Sequence, residues 1–398
     1  MRSRRNPALA VLAALSTVLS APASAQLDKL KLSDAIQSLA YSGDLRLRND
    51  VRGRRGGGLK NAGGVSNASQ QRFRLRWGLE AQLPDNVAAG FRLASGTGEQ
   101  VSTNQSAGKL GSQKSIFIDL AYLKWKPAVN ENAAAVLLGG RMANPLWRPY
   151  SADVVWDDDF NPEGAGESIE WLFPDAGVSV FANGLQMVAD QDSGTGKNQW
   201  EFSQQLGFET RLGFGTRLRM AGAYHKWSDE GRSSLSAAAV QDGNRRLANG
   251  GLANNFGVGE ITAQLTGWAG RVPVNLQGTV ARNLIARNFS APAALVGPVA
   301  RDAYQAGIIV GAAKAKGSWE AAYFKKYAQT DATVADVSDS DFGDGGTNRV
   351  GHIVWLGYAP RDWMQVKVKA FFTDSIDRDF APGDKAVNRL QTDLSVKF

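Results

Sequence analysis

The stretch from Arg72 to Leu83 (RFRLRWGLEAQL) constrains the fold more than any other part of this chain. Phe73, Leu75, Trp77, Leu79, Ala81 and Leu83 occupy one parity, and Arg72, Arg74, Arg76, Glu80 and Gln82 the other. Alternation sustained over about twelve residues is a strand signal, because successive strand side chains point to opposite faces. A helix would spread the three arginines around its circumference. Roughly 9–11 tilted residues cross a bilayer as a strand, so this one has membrane-spanning length. Two folds can use it. A soluble sandwich would turn the arginines to bulk water, and a transmembrane barrel would turn them into a wet lumen with the apolar face on lipid.

The connectors choose between them. From Tyr41 onward the chain reads as about sixteen strands joined alternately by tight turns and long loops, the asymmetry of a membrane barrel. The tight turns include Pro84-Asp85-Asn86, Pro174-Asp175, Gly213-Phe214-Gly215 and Pro360-Arg361-Asp362. The long ones include Gly96 to Ser115, Ala143 to Glu163, Ser228 to Phe256 and Asp331 to Asn348. A sandwich gives no reason for every second connector to be long, and structureless loops of ~20 residues are uncommon in compact domains. An even number of strands closes the sheet with both termini on one side and leaves no edge in lipid. The expected fold is therefore all-β, a transmembrane antiparallel β-barrel over residues 41–398 with short periplasmic turns and long external loops. Aromatics near strand ends, such as Trp125, Trp171, Tyr224 and Trp268, suit interfacial girdles.

Both ends of the chain agree with export. Arg2, Arg4 and Arg5 precede an apolar run from Ala8 to Leu19 and an Ala23-Ser24-Ala25 cleavage site, which reads as a signal peptide over residues 1–25. Gln26 to Ala40 is expected to be a short periplasmic leader, helical with Leu30, Ile36 and Leu39 on one side. At the other end Leu390, Thr392, Leu394, Val396 and Phe398 share a parity, and the chain stops on the aromatic. A last strand ending on phenylalanine resembles the signal by which Gram-negative bacteria deliver barrels to their assembly machinery, which assigns Phe398 to membrane insertion.

The chain has no cysteine, which removes disulfides, thiol catalysis and cysteine-bound metals. Three of its +7 formal charges lie in the signal, leaving about +4, too dilute for nucleic-acid binding. His225 and His352 are the only histidines and sit on separate expected strands; His225 near Asp229 is the one local acid–base pair, a poor basis for an enzyme. No cofactor or metal site is expected: the Asp336 to Asp344 run lacks EF-hand spacing and reads as a solvated external loop.

The arginines carry more information. Arg46, Arg48, Arg72, Arg74, Arg76 and Arg92 lie on the polar parity of three neighbouring strands, and Arg141 is assigned to the polar parity of a later one. Facing lipid, each would cost roughly 2–4 kcal/mol near the midplane, so the lumen face is expected. Asp153, Asp157, Asp158, Asp159 and Glu163 follow on the long 143–163 loop. Folded inward, that loop would set acids against the cationic ladder, and facing charge patches set pore selectivity.

Several segments then resemble the putative-porin family of Gram-negative bacteria: RFRLRWGLEAQLPDNVAAGFRLASG (72–96), STNQ (102–105), IDLAYLKWKP (118–127), NPLW (144–147) and DVVWDDDFNPEG (153–164). They crowd into residues 41–190. The resemblance implies a sixteen-stranded outer-membrane porin and transfers no functional residues. The expected function is passive diffusion of small hydrophilic solutes and ions. An anion-binding selective channel and a plugged structural or adhesive barrel are the alternatives. Expected partners are outer-membrane lipid and lipopolysaccharide, the barrel assembly machinery and, by that resemblance, two further copies in a homotrimer.

Overall fold

The computed structural model describes residues 33–54, 67–191, 198–228, 243–247, 251–288, 299–377 and 386–398. The expected signal and the first part of the leader, through residue 32, lie outside the described residues, as does Asp229. Seventeen strands run in chain order: β1 (Ser38–Arg54), β2 (Asn67–Gln82), β3 (Val87–Ser95), β4 (Gln105–Ser106), β5 (Ile116–Trp125), β6 (Ala133–Arg141), β7 (Glu163–Phe173), β8 (Val178–Asp190), β9 (Gln199–Gly213), β10 (Thr216–Trp227), β11 (Gly257–Ala269), β12 (Val272–Asn283), β13 (Asp302–Gly311), β14 (Trp319–Ala328), β15 (Arg349–Arg361), β16 (Met364–Ser375) and β17 (Val387–Lys397).

All but β4 belong to the wall, which makes it sixteen-stranded; β4 is a two-residue spur on β2, and β3 pairs directly with β5. Each wall strand is antiparallel to the next, and β1 closes the ring on β17 from Asp44↔Lys397 to Arg54↔Val387. The last residue extends the seam, since the Phe398 and Gly43 backbones exchange both N–H···O bonds at 2.8 and 3.1 Å. A Cβ on Gly43 would lie 2.4 Å from the Phe398 ring, so the terminal aromatic packs where only glycine leaves room. Short turns and long loops alternate as the sequence predicts. The leader differs: β1 begins at Ser38, so Ser38, Leu39 and Ala40 are strand rather than the end of a helix.

Alternation then sorts the side chains. Leu75 and Trp77 are each 40% exposed, and Leu45, Leu47, Phe91 and Leu123 share that outer surface. Large apolar side chains exposed around a closed wall are what a barrel presents to lipid. The register pairs Asp44 with Arg76, Arg46 with Arg74 and Arg48 with Arg72, so the arginine parity lies inside. A one-residue slip would exchange the two faces.

The lumen is not uniformly open. The 142–162 connector folds inward, and Met142, Leu146, Val154, Val155, Trp156 and Phe160 join one apolar core with wall residues Leu185, Met187 and Trp227. Trp156 is fully buried, stacked on Phe160 and Trp227 at 5.4 and 6.0 Å between ring centroids. Burying such a side chain is worth about 2–3 kcal/mol. The 329–348 connector also turns inward, and its Val334 and Val337 enter the same core.

If the arginine parity is the inner one, Leu75→Arg places charge on lipid at a cost of about 2–4 kcal/mol, whereas Arg74→Ala removes an inner charge. We expect Leu75→Arg to fail assembly and Arg74→Ala to assemble normally, read as heat-modifiable mobility in gels of outer-membrane fractions.

Candidate pore constriction

One wall of the lumen is cationic because β1, β2, β16 and β17 each place basic residues on the inner parity. Arg46, Arg48, Arg74, Arg76, Lys367 and Lys369 line one polar cavity of about 370 Å³. Opposite them the same cavity is lined by Asp153, Asp157, Asp158 and Asp159 of the inward loop and by Asp339 and Asp341 of the 329–348 loop. Asp159 makes the direct contact across the gap, 3.3 Å from an Arg74 nitrogen and 3.4 Å from one of Arg76. Asp44 holds the same two guanidiniums from behind, at 2.9 and 2.7 Å.

The other expected acids have different tasks. Asp157 accepts the backbone N–H groups of Asp159 and Ser340, tying the two inward loops together. Asp158 is half exposed, 3.5 Å from Arg148. Asp153 offers its backbone carbonyl to Lys326, which also pairs with Asp339 at 2.8 Å. Burial pushes the Asp153 and Asp157 carboxyls well above the usual carboxylate range, and neighbouring aspartates push the same way. Burial would raise Asp159 too, but Arg74, Arg76 and Arg46 outweigh it and hold that carboxyl low. Asp341 is held lower still against burial by Arg389 and Arg48.

The expected basic residues are distributed unevenly. Arg48 is bidentate to Asp393 at 2.7 and 2.8 Å and reaches Asp341 at 3.3 Å. Such forked pairs are the strong, orienting kind. Arg46 donates to Asn104, Arg72 lies 3.7 Å from Asp50, and Arg92 binds Asp119 at 2.6 Å. Arg141 and Glu163 do not line that cavity; they line a neighbouring one of about 710 Å³ that also takes in Asp119 and Asp159. Glu163 is the first residue of β7 rather than part of the loop, and Arg141 pairs with it at 2.7 Å on the parity of exposed Leu137. AAAVLLGG before Arg141 is apolar on both parities, so that strand has no polar side to read.

Three contributors were not singled out. Lys367 bonds Tyr150 and pairs with Glu320 at 2.9 Å, and Arg389 forks onto Asp50. Inner parity marks Lys367 and Arg389 in the sequence. Asp341 carried no such signal, and the 329–348 loop, expected to be solvated, is largely buried. The histidines stand apart. His225 is buried between Ser203 and Glu260 beneath Trp156, at 2.6 and 2.9 Å, and His352 bonds Tyr323 on another strand. Among the described residues no group of His, Asp and Glu is arranged to hold a metal ion.

A closed sixteen-stranded barrel whose lumen is narrowed by an inward loop defines the porin-type channels. The sequence matches the family described as Putative porin over residues 59–249 and 232–398, and the chain belongs to that family. No curated protein matches it in sequence. Among solved structures it is similar to OprB of Pseudomonas putida, with TM-score 0.53 and 11% identity over 90% of this chain and 94% of that one. It is likewise similar to Salmonella typhi OmpF, with TM-score 0.51 and 12% identity over 92% of this chain and 99% of the other. At such identity the likeness concerns the fold.

The carboxyl states give opposite expectations for neighbouring aspartates. Asp159 has a depressed value, so its contribution is present above the ordinary carboxylate range and is lost as pH falls through its folded value. Asp153 has a raised value, so ionising it costs stability as pH rises. Asp159→Asn should therefore destabilise the loop by about 1 kcal/mol at neutral pH, less in strong acid, while Asp153→Asn should be neutral or stabilising. Thermal unfolding in detergent at neutral and acid pH, with proteolysis within residues 143–162, reads both.

Proposed function

We propose that this protein is a general diffusion porin of the outer membrane, a water-filled channel for small hydrophilic solutes and ions. The reading rests on one observation: a polar cavity lined by opposed cations and carboxylates lies inside the barrel beside the apolar core of the inward loop. A plugged barrel would need no such cavity. An anion-binding channel would want uncommitted cations, whereas Arg48, Arg74, Arg76 and Arg389 are already matched by aspartates. No enzymatic role is needed. The same proposal includes export through a cleaved signal peptide, insertion by the barrel assembly machinery, lipopolysaccharide around the external rim and assembly as a homotrimer.

The chemistry of passage follows from charge placement. Arg72, Arg74 and Arg76 recur at every second position and so stack about 6.6–6.8 Å apart along one wall, within a Debye length of each other. With Asp159 and Asp158 facing them, the field runs across the pore. It orients dipolar solutes and leaves ions of either sign a path along the oppositely charged side.

Reversal potential across a planar bilayer under a salt gradient tests this. Arg72/Arg74/Arg76→Ala should shift the preference toward cations and Asp157/Asp158/Asp159→Ala toward anions, both shifts shrinking at high salt. Wild-type potentials in both variants would remove these residues from the narrow part of the pore, and absence of an ohmic current would remove the channel.

Insertion has its own test. Deleting Phe398 removes the ring packed on Gly43 and two seam hydrogen bonds. Outer-membrane yield at native expression should fall, with protease-sensitive protein accumulating in the periplasm; unchanged yield would contradict the insertion role.

A further inference from the structure

Beneath the inward loop four polar side chains form a row of hydrogen bonds that the constriction does not use. Glu201 and Ser203 share the buried parity of β9, His225 lies on β10 and Glu260 on β11. The register sets Ser203 opposite His225, and Glu260 lies one diagonal step away, opposite Ala223. Ser203 Oγ bonds the Glu201 carboxylate and lies 2.6 Å from His225 Nδ1, while His225 Nε2 lies 2.9 Å from Glu260. Glu201, Ser203 and His225 are fully buried and Glu260 nearly so. No solute reaches that serine, so the row of Ser, His and Glu is not a hydrolytic site.

These three contacts need three hydrogens. Ser203 brings one, a neutral imidazole one, and two ionised carboxylates none. The row is therefore complete only with a third proton, carried on the second ring nitrogen or on one of the carboxyls. Without it one contact sets two lone-pair acceptors face to face out of water, which costs the full desolvation of an unmade bond. Among the described residues the charged groups that face His225 are Glu201 from β9 and Glu260 from β11, and neither pairs with a lysine or an arginine. From the loop the neighbour is Trp156, whose carbonyl accepts from Arg148, itself 3.5 Å from Asp158.

The row lies under the anchor of the loop. Trp156 meets His225 edge to face at 5.7 Å and stacks on Trp227 further along β10. A few positions on from Trp156, Asp159 reaches Arg74 and Arg76. We propose that His225 is a positioning residue of the constriction, acting through Trp156, and that it seats the loop only while the row holds its third proton. This rests on the channel reading given above. The folded protein binds that proton in the row, so the contribution is complete toward acid pH and is lost as pH rises past its release. Asp159 works at the other end, its contacts failing as pH falls, so the two effects separate.

The test uses the full chain from outer membranes, in planar bilayers for conductance and in mild detergent for proteolysis within residues 143–162, from mildly acid to alkaline pH. Wild-type conductance should rise with pH, and loop cleavage should quicken about tenfold, the worth of one unmade buried bond. In Glu260→Gln the amide N–H donates to Nε2, Nδ1–H to Ser203 and the hydroxyl to Glu201, so the row closes with no third proton. Both readouts of that variant should stay at the acid-side level of wild type at every pH. His225→Phe should show the loosened level throughout. Heat-modifiable mobility reports whether each barrel is folded, and Glu260→Gln, which keeps every contact, carries the test alone if His225→Phe does not fold. Wild-type readouts that do not rise with pH, a Glu260→Gln protein that follows wild type, or a folded His225→Phe protein with the wild-type profile would overturn the assignment. Absence of current in every variant, with the expected cleavage profiles intact, would remove the channel reading and still support the seating of the loop by His225.

Discussion

The β1–β17 seam is the constraint on which everything else depends. In lipid no water is available to satisfy backbone N–H and C=O groups, so an open sheet of this length is untenable and every strand needs two neighbours. Once the ring closes, inside and outside are fixed for all sixteen wall strands together, because the side-chain period is two. The seam is also held by charge. Arg48 on β1 forks onto Asp393 of β17, and Arg389 of β17 forks onto Asp50 of β1. These reciprocal pairs specify register as well as attraction, since slipping one strand by a residue would turn each partner to the opposite face.

Within that wall, apolar burial and electrostatics divide the lumen. The inward loop is seated by Trp156, Phe160 and Val154 in a core shared with four or more wall strands, and by wall donors reaching its carbonyls, such as Gln277 to Tyr150, Gln305 to Ser151 and Lys326 to Asp153. A few buried aromatic and aliphatic side chains at about 2 kcal/mol each outweigh Asp159's partly buried contacts with Arg74 and Arg76, worth about 1 kcal/mol. The core therefore places the loop, and the acids are carried to the cationic wall by it. Screening or protonating Asp159 should change the field before it moves the loop.

What was legible in the sequence follows the same division. Parity is a local property, so the strands, the turns and the inner position of Arg46, Arg48, Arg74 and Arg76 could be read from residues two apart. The charges showed only what the 143–163 loop would meet if it folded inward, and Asp159 is the acid of that set that contacts Arg74 and Arg76. Parity says little where both sides of a strand are alike, as before Arg141, and boundaries blur where a loop runs into a strand, as at Glu163. Loops have no period at all. Nothing in DVSDSDFGD distinguishes a solvated acidic loop from one whose Asp341 meets Arg389 and Arg48, because the second contact joins residues 293 positions apart that only the closed sheet brings together.

The same reasoning gives different meanings to charge on the two faces of one wall. An arginine on the inner parity is answered by aspartates, as Arg48 is by Asp393 and Asp341 and Arg74 and Arg76 are by Asp44 and Asp159. Glu167 is on the outer parity, level with exposed Leu137 on β6 and with Gly184 on β8, and accepts a hydrogen bond from Gln186 at 2.8 Å. Charge there has no wet side to turn to, so the place of a charged residue on the two-residue period, and not its sign, sets its cost in the wall.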